Sequence, residues 1–124
     1  MTILRTGIDL VEIDRLSRLR PEIRQRFLER VFTPLELDEA GKSEASLAGR
    51  FAVKEAVAKA LGTGIGVLGW RNIEVERGAR GEPVLHLYGT AQAEAERLGL
   101  TVWSISISHT REYAVAVAAA LDPG

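Results

Sequence analysis

No cysteine occurs in the 124 residues, which excludes disulfides, thiolate nucleophiles and cysteine metal sites. Apolar runs near the roughly 18 residues needed to cross a bilayer are also missing. The opening "MTILRTGIDLVEID" reaches charge at Arg5, so no signal peptide is expected. Nor does one sign of charge dominate: 16 basic residues oppose 17 acidic ones, a net of −1. Such a balance sets up no global field that selects nucleic acid or anionic membrane. Repeats, linkers and low-complexity segments are lacking too. The expectation is a soluble, cytoplasmic protein with neither nucleic-acid nor membrane partners.

What is present suits a packed domain. Hydrophobic residues make up 46% of the chain, too many for a disordered one, and the length fits one domain spanning 1–124. A domain this small buries only about two-thirds of its unfolded surface, so contacts between subunits are one place for part of that apolar content. Charge is uneven locally. Between Arg15 and Arg30 stand six arginines against two glutamates, either a solvated helix face or a docking surface.

Residues 2–8 read as a strand, and the spacing of Leu10, Ile13 and Leu16 predicts a helix from Asp9. Pro21 is placed to open a second helix, and "TPLE" at 33–36 has the form of a capping box. Ser43 and Gly62 bracket a long helix over 44–61, followed by a loop over 62–69. "RNIEVERGARGEPVLHLY" reads as a hairpin, "TAQAEAERLG" as a helix, and "TVWSISISH" and "YAVAVAAAL" as two strands joined at "TRE". The order βααα–ββ–αββ indicates an α+β fold, helices packed on a mostly antiparallel sheet. In the last strand Tyr113, Val115 and Val117 alternate with Ala114, Ala116 and Ala118. Both of its faces are apolar, which predicts a strand covered on both sides.

The long helix raises the chemical question. Glu55 and Lys59 lie about 140° and 180° round the axis from Arg50, opposite the arc of Leu47, Val53, Val57 and Leu61. Their neighbours are Ala48, Ala52 and Ala56, so another element is expected to pack closely there. Arg50 and Lys54 fall within the apolar arc. By itself Glu55–Lys59 reads equally as a solvated ion pair. Asp9 reads as a helix cap with Glu12, or as a metal ligand at a strand end: Mg²⁺ is usually held by one or two carboxylates, waters and substrate phosphate. His109, in phase with Trp103, Ile105 and Ile107, is a core histidine or a group emerging at a sheet edge. The glycines of "GTGIGVLG" follow a helix C-terminus, whereas phosphate-cradling glycines usually precede an N-terminus. A Nudix-type pyrophosphatase site fits poorly, because "KEAVAKA" offers one glutamate and no second acidic pair.

Four stretches, "GIDLVEIDR", "RVFTPLE", "LAGRFAVKEAVAKALGTG" and "ISISHTREYAVA", resemble in order and spacing the holo-[acyl carrier protein] synthases. These are the small stand-alone phosphopantetheinyl transferases of bacterial fatty acid synthesis. The resemblance implies Mg²⁺-dependent transfer of 4′-phosphopantetheine from coenzyme A, a substrate, to a serine of apo acyl carrier protein. It matches Asp9 and Glu55 to the Mg²⁺ ligands, Glu55 and Lys59 to the catalytic pair, and Lys59 to the lysine beside the pyrophosphate. Arg50 and His109 match residues at the adenosine and 3′-phosphate end, on opposite sides of a subunit boundary, with Gly62 and Gly64 in the cofactor-side loop. Arg15, Arg24 and Arg26 match the basic surface that docks the acidic carrier. The implied assembly is a homotrimer with sites between subunits. The spacing over 17–25 and the short "EAGKSEAS" depart from the family pattern. Two other readings stay open: a binding module that keeps the fold without the chemistry, and a transferase serving peptide- or polyketide-type carriers.

Overall fold

The alternation in the last apolar run organises the sheet. In the computed structural model, which describes residues Met1–Gly124, β5 (Tyr113–Asp122) lies between β1 (Ile3–Glu12) and β4 (Val102–His109), antiparallel to both. β1 and β5 pair without interruption from Ile3↔Asp122 to Glu12↔Tyr113. Ala114, Ala116, Ala118 and Ala120 on the inner face of β5 are at most 1% exposed, and against them lies α3 (Glu44–Leu61). A row of methyl groups keeps that face flat, so the helix backbone can come close. The closest approach is at Gly7, where a Cβ would lie 1.9 Å from the Ala56 carbonyl oxygen. No residue but glycine fits there.

The opposite side of α3 is covered by the chain around it. α1 (Pro21–Val31) and α2 (Pro34–Ala40) both begin at a proline. The capping box forms: the Thr33 hydroxyl accepts the Glu36 N–H at 3.2 Å, and the Glu36 carboxylate accepts the Thr33 N–H at 2.9 Å. β2 (Ile73–Arg77) and β3 (Pro83–Leu87) form a separate antiparallel hairpin. α5 (Gly89–Arg97) packs against the segment 65–72 and leads into β4.

Three local expectations give way. The helix predicted from Asp9 is absent: β1 continues to Glu12 and a single 3₁₀ turn occupies Ile13–Arg15. Ten consecutive pairings with β5 outweigh the helical spacing of three apolar residues, and Asp9 therefore sits inside a strand instead of capping a helix. The expected loop over 62–69 contains one helical turn, α4 (Ile65–Leu68), because Leu68 is drawn into the core. Finally, β5 is central, but its second face is uncovered. Ile8 and Leu10 remain 58% and 64% exposed and Val117 39% exposed. The chain's accessible surface, 7182 Å², is about a tenth more than a monomer of 13.5 kDa ordinarily shows.

The Gly7 contact generates a prediction. Gly7→Ala is expected to cost about 3 kcal/mol or more in urea unfolding, since the methyl group meets backbone that cannot move aside. Gly66→Ala, at an exposed site with nothing within 4 Å of the added Cβ, is expected to leave stability unchanged or slightly raised.

Candidate functional site

The close packing of β1 on α3 brings two carboxylates of distant sequence together. Asp9 shares the inner face of β1 with Gly7 and Val11, and its side chain is 19% exposed. Glu55 stands on α3 beside the Ala52 and Ala56 that the sheet covers completely. Burial, and after it the Asp9 carboxylate, push the Glu55 carboxyl above its ordinary range, while Lys59 and Arg15 draw it back. Lys59, one turn further on, donates to the Ile8 carbonyl at 2.8 Å and lies 3.4 Å from Asp9 Oδ1, its own side chain half exposed. Two acidic groups and a lysine thus meet at the surface, within reach of the Arg15 charge. The donor set is two hard carboxylate oxygens from two rigid elements, and no third acid or histidine joins them. That suits a cation which keeps most of its shell for water and phosphate, as Mg²⁺ does.

A second locus lies at the other end of α3. A cavity of about 270 Å³ is bordered by Ser43, Ser46, Arg50, Arg77 and His109 among others. His109 ends β4 on its α3-facing side, paired with Ala114, and the turn beyond it is tied by Thr110, whose hydroxyl accepts the Glu112 and Tyr113 N–H groups. Arg50 is almost fully buried, yet reaches this cavity. It donates to Glu39 Oε1 at 3.0 Å, to the Val75 carbonyl at 2.7 Å and to Ser46 Oγ at 3.3 Å. Arg50 and Glu55 are five residues apart, which on a helix is about 140° of rotation. The cavity and the carboxylate pair therefore lie on different sides of α3 within one chain.

The remaining candidates fall elsewhere. Gly62 ends α3 in the left-handed conformation, φ 71°, and Gly64 precedes α4. Neither borders the Arg50–His109 cavity. Arg15 and Arg26 are exposed, whereas Arg24 is half-buried and paired with Glu44. Beside Arg15 an apolar hollow of about 190 Å³ is lined by Val11, Leu16, Leu19, Ile23, Phe27 and Phe51.

Comparison with known proteins adds to this geometry. The family model of the 4′-phosphopantetheinyl transferase superfamily matches residues 5–118. The chain belongs to that superfamily, among the holo-[acyl-carrier-protein] synthases. The holo-[acyl-carrier-protein] synthase of Herpetosiphon aurantiacus is 45% identical over 91% of this chain and 94% of that protein. That of Gloeobacter violaceus is 47% identical over 90% and 88%. Among solved structures, the Helicobacter pylori holo-[acyl-carrier-protein] synthase in complex with coenzyme A superposes with a TM-score of 0.83 at 32% identity, covering 93% of this chain and 98% of that one. The Neisseria meningitidis synthase gives 0.83 at 38% identity, covering 94% and 96%.

In this synthase the sequence pattern concealed a set of buried polar groups. Lys54 is wholly buried, and its ammonium donates to Glu36 Oε1 at 2.7 Å and to the carbonyls of Trp70 and Ile73. Burial holds it below the ordinary lysine range, against a Glu36 carboxylate that favours the charged form. Glu36 thus does more than complete its cap, because its other oxygen accepts the Val75 N–H at 2.9 Å. Thr33 Oγ1 donates to Glu74 Oε2 at 2.6 Å, and Tyr88 donates to Glu74 Oε1 at 3.1 Å. The only available signal was Lys54 falling inside the apolar arc of α3.

Two outcomes follow from these environments. Lys54→Met strands a buried Glu36 carboxylate and is expected to cost about 3–5 kcal/mol in chemical denaturation; also changing Glu36 to Leu recovers only part of it, because the Thr33 and Val75 N–H groups then lose their acceptor. Glu55 behaves in the opposite sense. Its carboxyl is raised in the folded state, so its contribution to stability is present at acid pH and lost as pH rises through the folded value. Glu55→Gln is therefore expected to raise the thermal midpoint of the metal-free protein at neutral pH. The gain should disappear below the ordinary carboxylate range.

Proposed function

We propose that the protein transfers the 4′-phosphopantetheine arm of coenzyme A to a serine hydroxyl of apo acyl carrier protein, leaving adenosine 3′,5′-bisphosphate, with Mg²⁺ held by Asp9 and Glu55. The carrying observation is the coupled pair of carboxylates beside Lys59, built from β1 and α3. Membership in the synthases supports it, as do relatives crystallised with coenzyme A.

When bound, Mg²⁺ supplies Lewis-acid neutralisation of charge on the phosphate oxygens. The residues of the chain do the rest. Lys59, with its ammonium held by the Ile8 carbonyl, places a compact positive charge where the pyrophosphate would lie and stabilises the leaving bisphosphate. Phosphoryl transfer asks for in-line positioning more than for covalent help, and α3 provides the rigid support. The serine proton passes to a group at this site, either Glu55 at an Oε atom or a water held beside it. Arg50 and His109 are assigned to the adenosine and 3′-phosphate end.

The arginine-rich face fits the acidic carrier. Arg15 and Arg26 present exposed charge, Arg24 lies beside them paired with Glu44, and the hollow between Val11 and Phe51 accepts apolar side chains of a partner helix. The placement of Arg50 and Glu55 on different sides of α3 supports an assembly in which one coenzyme A is gripped by two copies. So does the uncovered apolar face of the sheet, where Leu4, Ile8, Leu10, Val102 and Tyr113 are each more than 40% exposed. A homotrimer with sites between subunits, Gly62 and Gly64 flanking the cofactor, is the form we assign. Fatty acid biosynthesis in the cytoplasm is the setting.

Incubation with apo acyl carrier protein, coenzyme A and Mg²⁺ is expected to add the mass of one phosphopantetheine to the carrier, read by intact mass spectrometry. EDTA should abolish the addition, and Glu55→Ala should lower kcat by about 10³-fold. A carrier whose mass does not change would sink the transferase reading. Full activity in Glu55→Ala would move the metal site elsewhere.

A further inference from the structure

Arg50 has five N–H donors, and three are engaged within the chain: Nε on Ser46, and both hydrogens of Nη1 on Glu39 and the Val75 carbonyl. Nη2 has no partner among these bonds, and Arg50 borders the cavity that also holds His109 and Arg77. A buried guanidinium with two open donors is an anion receptor, provided it is held still. Of the three acceptors that hold it, the charged one is shared with a second element. Glu39 Oε1 accepts from Arg50 Nη1 at 3.0 Å and from the backbone N–H of Arg77 at 2.8 Å. Arg77 returns a bond from Nη2 to the Glu39 carbonyl at 3.1 Å. Burial pushes the Glu39 carboxyl up, but the Arg77 amide and the two guanidiniums outweigh it and hold it below the ordinary range. The group stays charged and accepting through neutral pH. Glu39 sits near the end of α2, Arg50 on α3 and Arg77 at the end of β2, so one carboxylate fastens both the receptor and the wall of its cavity.

We infer that Glu39 is a positioning residue for coenzyme A binding: it orients Arg50 and the Arg77 end of the hairpin so that the open Arg50 donors meet a phosphate. This rests on the assignment of Arg50 to the nucleotide end of coenzyme A. Glu39 touches no substrate itself. Its removal therefore weakens the ground state and the transition state alike and leaves the chemical step intact.

The test is steady-state kinetics of wild type, Glu39→Ala and Glu39→Gln, with coenzyme A and apo carrier varied in turn and thermal unfolding recorded for each. Glu39→Ala is expected to raise the KM for coenzyme A about tenfold, the effect of losing one charged hydrogen bond. Its kcat and carrier KM should stay within about twofold of wild type. Glu39→Gln keeps an oxygen acceptor and is expected to show a smaller rise, about threefold, in the same constant alone. An unchanged coenzyme A KM in both variants overturns the inference. So does a parallel loss in kcat and both KM values, which is what a merely structural role would produce. If Glu39→Ala does not fold, Glu39→Gln decides on the same criteria. An inactive wild type removes the transferase reading and the positioning role with it. An active wild type with indifferent Glu39 variants removes only the latter.

Discussion

The approach of β1 to α3 at Gly7 is the constraint on which the rest of the molecule depends. Helix and strand backbones meet there with no side chain between them, and the alanines of β5 extend the same close contact along the sheet. A wider spacing would carry Glu55 away from Asp9 and leave Lys59 short of the Ile8 carbonyl. The alanines around Glu55 are explained by the same contact. They are small because a sheet lies on them, and Glu55 stands at the border of that contact, half in water.

The protein treats charge on α3 in two contrasting ways. On the hairpin side, Lys54 and Glu36 are fully buried and every strong donor and acceptor has a partner, including backbone groups of residues 70, 73 and 75. That arrangement offsets desolvation with hydrogen bonds and joins α2, α3 and β2 into one block. On the sheet side, Glu55 faces a like charge at Asp9 and is left electrostatically unfavourable. That contrast, one set of ions satisfied and another left in conflict, is the ground for placing the proposed chemistry at the second.

The outer face of the sheet is the other unresolved surface of the single chain. Its apolar side chains come from alternate positions of β1, β4 and β5, the same alternation that places alanine inward. The cavity and the carboxylate pair lie on different sides of α3, and in the proposed trimer a second copy would bring one against the other.

Much of this was legible along the sequence. Helix α3 from its Ser43 cap to Gly62, the Thr33–Glu36 capping box, the hairpin and the antiparallel strand pair are local matters, decided by caps, turns and period within a few residues. The α+β class followed from their order, and the spaced motifs pointed to the synthase family. The strand through Asp9 was misread because Leu10, Ile13 and Leu16 satisfy a helical spacing, while the ten pairings that decide the question come from residues more than a hundred positions away. For the same reason no local pattern marked Glu36 and Glu74 as buried or Glu39 as paired, since a glutamate in an amphipathic helix or alternating strand looks solvated until its lysine, arginine or backbone partner is known. Short-range chemistry determined most of the elements, though not the strand through Asp9. Only the tertiary structure, through burial and long-range pairing, decided which charges face each other and which face water.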